Sequence, residues 1–437
     1  MKNLQILASL ILLANIGTTC LAADDAGLAK KNAELQQKVD KLDKEMAELK
    51  KAVMQSGTSA DTQPPRKPVW SNLDIQLYGY LKLDAAYDSS RIDNGNYAKW
   101  VERENANSED DQFNMTANET RLGALLSGPD DGVMKASGRV EVDFYEGGSE
   151  NKARLMMRHA YMKLDWPADR FSLIAGQTSD VISPLLPSTL NYSVGWWVGN
   201  IGYRRPQIRL TKEYEVGPQE NLKLEGALAR TIGRTDAVAG TDSGEDSGLP
   251  SLQARASMSL PLGGPEVSTV GVSGHLAQEE YDIATDGRNK EFESWSLNLD
   301  LTQPINTWLS IKSEVFTGKN LDAYLGGIGQ GVTTTAGANQ YEEIGSKGGW
   351  VAASLGPWDK ERFNLGVSMD DVERGNVNNA SSTNPGRTLN RSVFVNMFYS
   401  LNKNTEWAVE LSHWRTEYRG TGDGDSLRAQ TSLIYKF

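Results

Sequence analysis

From Leu73 to the C-terminus, apolar and polar residues alternate in runs of about ten, the period of a strand whose two faces meet different surroundings. In the last run Leu427, Ala429, Thr431, Leu433, Tyr435 and Phe437 share one face, against Arg428, Gln430, Ser432 and Lys436 on the other. Trp295, Leu297, Leu299 and Leu301 alternate in the same way with Ser296, Asn298, Asp300 and Thr302, as do Phe363, Leu365, Val367 and Met369 with Asn364, Ser368 and Asp370. The connections alternate too. Seven are brief: Gly128 to Gly132, Asp165 to Arg170, Val216 to Asn221, Pro261 to Val267, Gln303 to Thr307, Gly356 to Arg362 and Asn402 to Asn404. Eight longer polar loops fall near 88–112, 146–153, 178–203, 232–250, 282–293, 318–346, 371–390 and 419–425. Together they delimit sixteen strands. An even number puts both ends on the short-turn side and lets the first and last strands pair antiparallel, leaving no edge.

Alternating strands also build soluble sandwiches. A sandwich gives no reason for tryptophans near strand ends, such as Trp166, Trp295, Trp308, Trp350 and Trp407. A bilayer does, because indole favours the headgroup boundary. The expected fold is therefore all-β: a sixteen-stranded antiparallel transmembrane β-barrel over residues 71–437, with an N-terminal α-helical coiled coil.

The N-terminal region reads in three pieces. Residues 1–23 combine Lys2, an apolar run from Leu4 to Ile16 and the small residues of Cys20-Leu21-Ala22-Ala23, the pattern of a cleaved secretory signal peptide. A membrane anchor and a lipoprotein modified at Cys20 are the other readings; Gly17-Thr18-Thr19 is a poor approach to a lipidated cysteine. Within 24–54, Leu28, Leu35, Leu42 and Leu49 recur every seventh residue, with Asn32, Val39, Met46 and Val53 four after each, which fills both core positions of a periplasmic coiled coil. A single amphipathic helix packed on something else has the same pattern. Residues 55–70, with Gly57, Pro64, Pro65 and Pro68, read as a linker.

Charge narrows the function. The sum of 45 basic and 57 acidic residues is -12, which argues against a nucleic-acid partner. Cys20 is the sole cysteine, so the barrel has no disulfide framework or thiolate metal site. His159, His275 and His413 lack a recognisable nucleophile motif or metal-ligand spacing, and Gly326-Gly327-Ile328-Gly329 lacks the following helix a nucleotide loop needs. No cofactor and no catalysis are expected.

In a barrel of this size selectivity arises where charged side chains line a constriction. The loop 178–203 is the candidate, because Pro184, Pro187, Trp196 and Trp197 make it too apolar for bulk water. Packing of those tryptophans between subunits is the alternative. With the apolar faces outward, Arg121, Arg139, Arg209, Arg255, Lys312 and Arg428 point inward, and Arg204 and Arg205 open the strand after the loop. Acidic clusters such as 102–111 and 242–246 fall in loops. An acidic chain can thus hold a basic throat suited to carboxylate or phosphate oxygens. Pairing of these arginines with Glu119, Glu141, Asp143 or Glu314 on the wall would instead stiffen the barrel with no net anion preference. Arg158 can be phased either way, with Ala160, Met162 and Leu164 or with His159 and Tyr161 toward lipid.

The leader, the heptads, the barrel opening Leu77-Tyr78-Gly79-Tyr80-Leu81-Lys82-Leu83 and the segment Gly202-Tyr203-Arg204-Arg205-Pro206-Gln207-Ile208-Arg209 together resemble the DcaP-like trimeric outer-membrane porins. The terminal Tyr435-Lys436-Phe437 looks like the aromatic signal read by the barrel-assembly machinery. The resemblance implies a homotrimer in the cell outer membrane, in contact with its lipid, that passes small anionic solutes such as dicarboxylates. Phosphate-selective porins share the fold and charge logic. A structural anchor tethered to peptidoglycan by the coiled coil is a further alternative.

Overall fold

The alternating runs pair in sequence order until the last meets the first. The computed structural model describes residues 37–38, 40–41, 44, 73–104, 110–130, 132–146, 153–233, 245–281, 289–334, 341–381 and 384–437. Two units are distinct, Met1–Val69 and Trp70–Phe437. In the first, Gln37, Lys38, Asp40, Lys41 and Lys44 are helical and exposed. The signal peptide, the heptad core positions and the linker lie outside the described residues.

The second unit is a closed antiparallel barrel of sixteen strands. They are β1 (Asp74–Asp88), β2 (Gln112–Thr116 continued by Arg121–Asp130), β3 (Lys135–Asp143), β4 (Met156–Trp166), β5 (Phe171–Ser179), β6 (Arg204–Glu215), β7 (Asn221–Ala229) and β8 (Ser251–Leu260). The second half comprises β9 (Ser268–Tyr281), β10 (Lys290–Asn306), β11 (Leu309–Lys319), β12 (Gly345–Trp358), β13 (Glu361–Val372), β14 (Arg387–Ser400), β15 (Thr405–Tyr418) and β16 (Gly424–Lys436). Both pieces of β2 pair with β1, so an interruption at 117–120 leaves one strand. Short turns and long loops alternate around the ring at the places read from the sequence.

Closure is made by β16 against β1, in register from Tyr80↔Lys436 to Asp88↔Arg428. It extends by reciprocal backbone hydrogen bonds of 3.1 Å between Gly79 and Phe437. A side chain at position 79 would strike the Arg121 carbonyl at 2.2 Å, so only glycine lets the first strand lie this close to its neighbour.

Burial is inverted relative to a water-soluble fold. Leu77, Leu297, Leu411 and Leu427 are more than half exposed, whereas Asp84, Asn364, Asn396 and Ser432 are buried. That is the arrangement for a protein whose solvent outside is hydrocarbon. Among the tryptophans, Trp308 and Trp407 project from the short-turn rim, where Trp308 stacks near Trp358 with centroids 6.1 Å apart, and Trp166 packs near Phe171 at 5.5 Å. Trp350 corrects the expectation of a boundary position: it lies inside, donating its indole N–H to Glu314 at 3.0 Å, because its neighbour Val351 takes the outward face.

Candidate functional site: the lumen wall and the inward loop

After β5 the chain does not run out over the rim. Residues 180–203 fold into the barrel and are held by side chains of distant strands. Gln253 on β8 receives the Val181 amide and donates to Asp180, each at 2.8 Å. Glu314 on β11 accepts the Leu185 amide at 2.7 Å. Glu410 on β15 accepts the Leu190 amide at 2.7 Å, the Thr189 hydroxyl and the Asn396 amide. Lys82 and Gln430 donate to the Leu190 carbonyl, both at 3.2 Å, and Tyr192 donates to Asp143 on β3 at 3.0 Å. The carboxylates that a one-strand reading would pair with wall arginines are thus partly used to hold backbone. The ring of Pro187 is buried while Pro184 and Leu186 are exposed. Trp196 and Trp197 are buried within this chain, in a cluster with Leu325 and flanked by Tyr97, Trp100 and Tyr203.

A second inward segment follows β11. Leu321 to Leu325 are buried, and Tyr324 shares a 2.6 Å hydrogen bond with Ser251. Its signal lay in the apolar residues Leu321, Ala323, Tyr324, Leu325 and Ile328, the same kind of evidence that marked the first loop.

The basic residues sort into two groups by what covers them. On β3, beside the Asp143 that anchors Tyr192, Glu141 is reached by Arg139 at 2.5 Å, Arg158 at 2.8 Å and Arg121 at 3.6 Å. Arg158 also binds Asp143 at 2.7 Å, and Tyr78 donates to Glu141. Arg139 and Arg121 keep 31% and 23% of their side chains exposed, while Glu141 keeps 1%. Next along the ring, Glu225 is approached by Lys223 at 3.1 Å, Arg255 at 3.3 Å and Arg209 at 3.9 Å. Arg209 also donates to the Ser179 carbonyl and to Gln207. Lys312 is half-buried and makes no ion pair among the described residues.

Three of the expected lumen-lining arginines need correction, and so does part of a fourth. Arg205 and Arg428 face inward but are sealed, each with 1% of its side chain exposed. Arg205 binds Asp180 at 2.8 Å and lies 3.9 Å from the Tyr324 ring centre, and Arg428 binds Asp88 at 2.9 Å. Arg204 is buried over the rings of Tyr203 and Trp196. Arg255 is largely covered through its pairing with Asp300 at 2.6 Å. The inward loops cover these positions, a tertiary effect invisible to strand parity. Lys82 was overlooked: it binds Glu119 at 2.5 Å and Asp84 at 3.3 Å, and its place between outward Leu81 and Leu83 could have revealed it.

The histidines hold structure. His275 lies between Ser294 and Ser296 and stacks on Tyr324 at 3.8 Å; His159 contacts Thr178; exposed His413 contacts Asp425. Tyr435 and Phe437 lie side by side at the short-turn end of the seam, with centroids 6.4 Å apart.

Comparison with known proteins agrees with this architecture. The family model described as DcaP outer membrane protein matches residues 15–227. No curated protein matches. Among solved structures, the outer membrane channel DcaP of Acinetobacter baumannii superposes with a TM-score of 0.68 at 20% identity, covering 84% of this chain and 98% of that one. An anion-selective porin from Comamonas acidovorans gives 0.52 at 12% identity, covering 84% and 100%. OmpT of Vibrio cholerae in its trimer form gives 0.50 at 9%, again over 84% and 100%. At these identities the superpositions establish the barrel fold; the family match carries the resemblance already read in the sequence.

Proposed function

We propose that this chain, an outer-membrane channel of the DcaP type, lets small anionic solutes such as dicarboxylates diffuse passively across the membrane, with 180–203 as its constriction. The observation that carries the reading is the depth of the charges. Arg139, Arg121 and Lys223 reach lumen water with 31%, 23% and 36% of their side chains exposed, while Glu141 and Glu225 beneath them keep 1% and 8%. A passing ion meets guanidinium and ammonium tips before it meets the carboxylates that orient them. Arginine adds a planar fork that matches carboxylate oxygens. In this reading Arg121, Arg139, Arg209 and Lys312 tune selectivity, and the arginines under the loops shape the passage by holding it.

The same reading takes the chain as a homotrimer with residues 24–54 as a periplasmic coiled coil, and Tyr435 and Phe437 as the signal that recruits the barrel-assembly machinery. Vibrio cholerae OmpT, which shares the fold, is known in a trimer form. Single-channel recording in a planar bilayer under a KCl gradient tests the function. A reversal potential of the sign set by anion flow supports it, and cation preference sinks it. Silence from correctly folded protein favours a structural anchor.

A further inference from the structure

Arg204 is 5% exposed, yet it makes no ion pair or hydrogen bond among the described residues, and its buried Nη2 has no acceptor. Its guanidinium carbon lies 5.1 Å from the Tyr203 ring centre and 5.4 Å from that of Trp196. Cation–π attraction offsets part of the burial of this charge and leaves the buried Nη2 without an acceptor. Asp143 does not serve it, being held by Arg158 at 2.7 Å and by Tyr192 at 3.0 Å. Glu146 is exposed and makes no ion pair with it.

Arg204 lines a cavity of about 330 Å³, half of whose lining residues are aromatic: Tyr97, Tyr145, Tyr192, Trp196, Trp197 and Tyr203. The volume falls within the range of about 300–1,000 Å³ usual for small-molecule sites. Every lining segment comes from a long loop or from a strand end beside one, so the cavity belongs to the long-loop mouth, with exposed Glu146 at its edge. It combines one unpaired, geometrically fixed cation with aromatic side chains, and offers no second cation among its lining residues.

We propose that this cavity is an entry site for planar aromatic monocarboxylates: the carboxylate takes the free guanidinium N–H groups of Arg204, and the ring packs among the tyrosines. A chloride or acetate ion would meet the charge but leave the aromatic walls without a partner. The inference rests on the reading of the chain as an anion channel, to which it adds a docking step on the constriction loop itself.

Titration calorimetry on the purified full-length protein in detergent tests it, with benzoate as the probe and acetate and cyclohexanecarboxylate as controls. Saturable benzoate binding is expected, at least roughly tenfold tighter than either control and weakened roughly tenfold or more by Arg204→Gln, since each tenfold corresponds to one charge-assisted contact of modest strength. Arg204→Lys keeps the charge without the fork and should fall between. Retained heat-modifiable electrophoretic mobility shows that each variant is folded; should both variants misfold, the three ligands compared on the unaltered protein decide. Absence of benzoate binding, equal binding of acetate, or undiminished binding by folded Arg204→Gln overturns the proposal. The reversal potential in KCl without benzoate reads the pore separately: cation preference with benzoate binding intact would overturn the anion-channel reading and leave the site standing.

Discussion

Arg428 on the last strand and Asp88 on the first face each other across the barrel seam at 2.9 Å, with 1% and 0% of their side chains exposed. They are also register partners in the β1–β16 ladder, so one ion pair reinforces the backbone closure from inside. The guanidinium reaches further, to the carbonyls of Gly95 at 3.3 Å and Asn96 at 3.3 Å, which ties the first long loop to the same point.

Removing one partner from so enclosed a pair leaves a charge with neither water nor counterion, a loss of about 3–5 kcal/mol. Asp88→Ala should therefore lower the temperature at which the barrel unfolds in a heat-modifiability gel. The double variant Asp88→Leu with Arg428→Met should recover most of that loss, because apolar replacements of both members leave no orphaned charge. An unfolding temperature unchanged by Asp88→Ala would argue that the seam depends on the backbone ladder alone.

Arg139 and Arg121 should govern ion preference. One unit charge about 4 Å from a passing anion is worth about 1 kcal/mol even in bulk water, so Arg139→Gln should lower the anion-to-cation permeability ratio by about fivefold. Glu141→Gln should raise that ratio, since it strips the shared counterion from Arg121, Arg139 and Arg158. Reversal potentials under a KCl gradient measure both, and the opposite signs are the point of the pair.

Strand order, the turn and loop alternation and the inward phase of the basic residues were legible because lipid outside and water inside impose period 2 on every strand. Arg158 resisted phasing for a physical reason. A register shift opposite Glu141 and Val142 inserts it as the extra residue of a bulge. Met157 and Met162 both point outward while Arg158 and His159 both turn in, so the phase with Met162 toward lipid holds after the bulge, and the phase with His159 toward lipid does not hold. Charge pairing was less legible, because partners such as Arg428 and Asp88 lie 340 residues apart. Which arginines reach water depended on loops that fold inward, and only the loop with two tryptophans and two prolines announced itself; the segment after β11 carried a weaker version of the same signal.

Glu410 should control how firmly the inward loop is held. It is 3% exposed and accepts from the Leu190 amide, the Thr189 hydroxyl and the Asn396 amide, so Glu410→Ala strands three donors at a loss of about 1–3 kcal/mol for each group left unsatisfied. The backbone around Thr189 should loosen without disturbing the strands. Open-channel current noise is expected to rise, mean conductance to increase and the unfolding temperature to fall. A quiet channel of unaltered conductance would show that Glu314, Gln253 and Lys82 suffice as anchors.

Arg205 offers the sharpest contrast with Arg139, because both are inward-facing arginines and only their cover differs. Arg205 joins Asp180 at the start of the first inward loop to the Ala323 carbonyl in the second, donating there at 3.1 Å, and packs on the Tyr324 ring. Its charge is matched at 2.8 Å and screened from the lumen by the very segments it connects. Arg205→Met should therefore leave the sign and size of the reversal potential close to those of the unaltered channel, while Asp180, now unpaired and buried, releases both loops. Conductance should become heterogeneous between molecules, and limited proteolysis should cut within 180–203 or 320–334 at protease levels that leave the unaltered protein whole. A loss of anion preference as large as that from Arg139→Gln, with loops still protected, would mean that Arg205 reaches the solute path after all and that side-chain burial is a poor guide to which charges an ion feels.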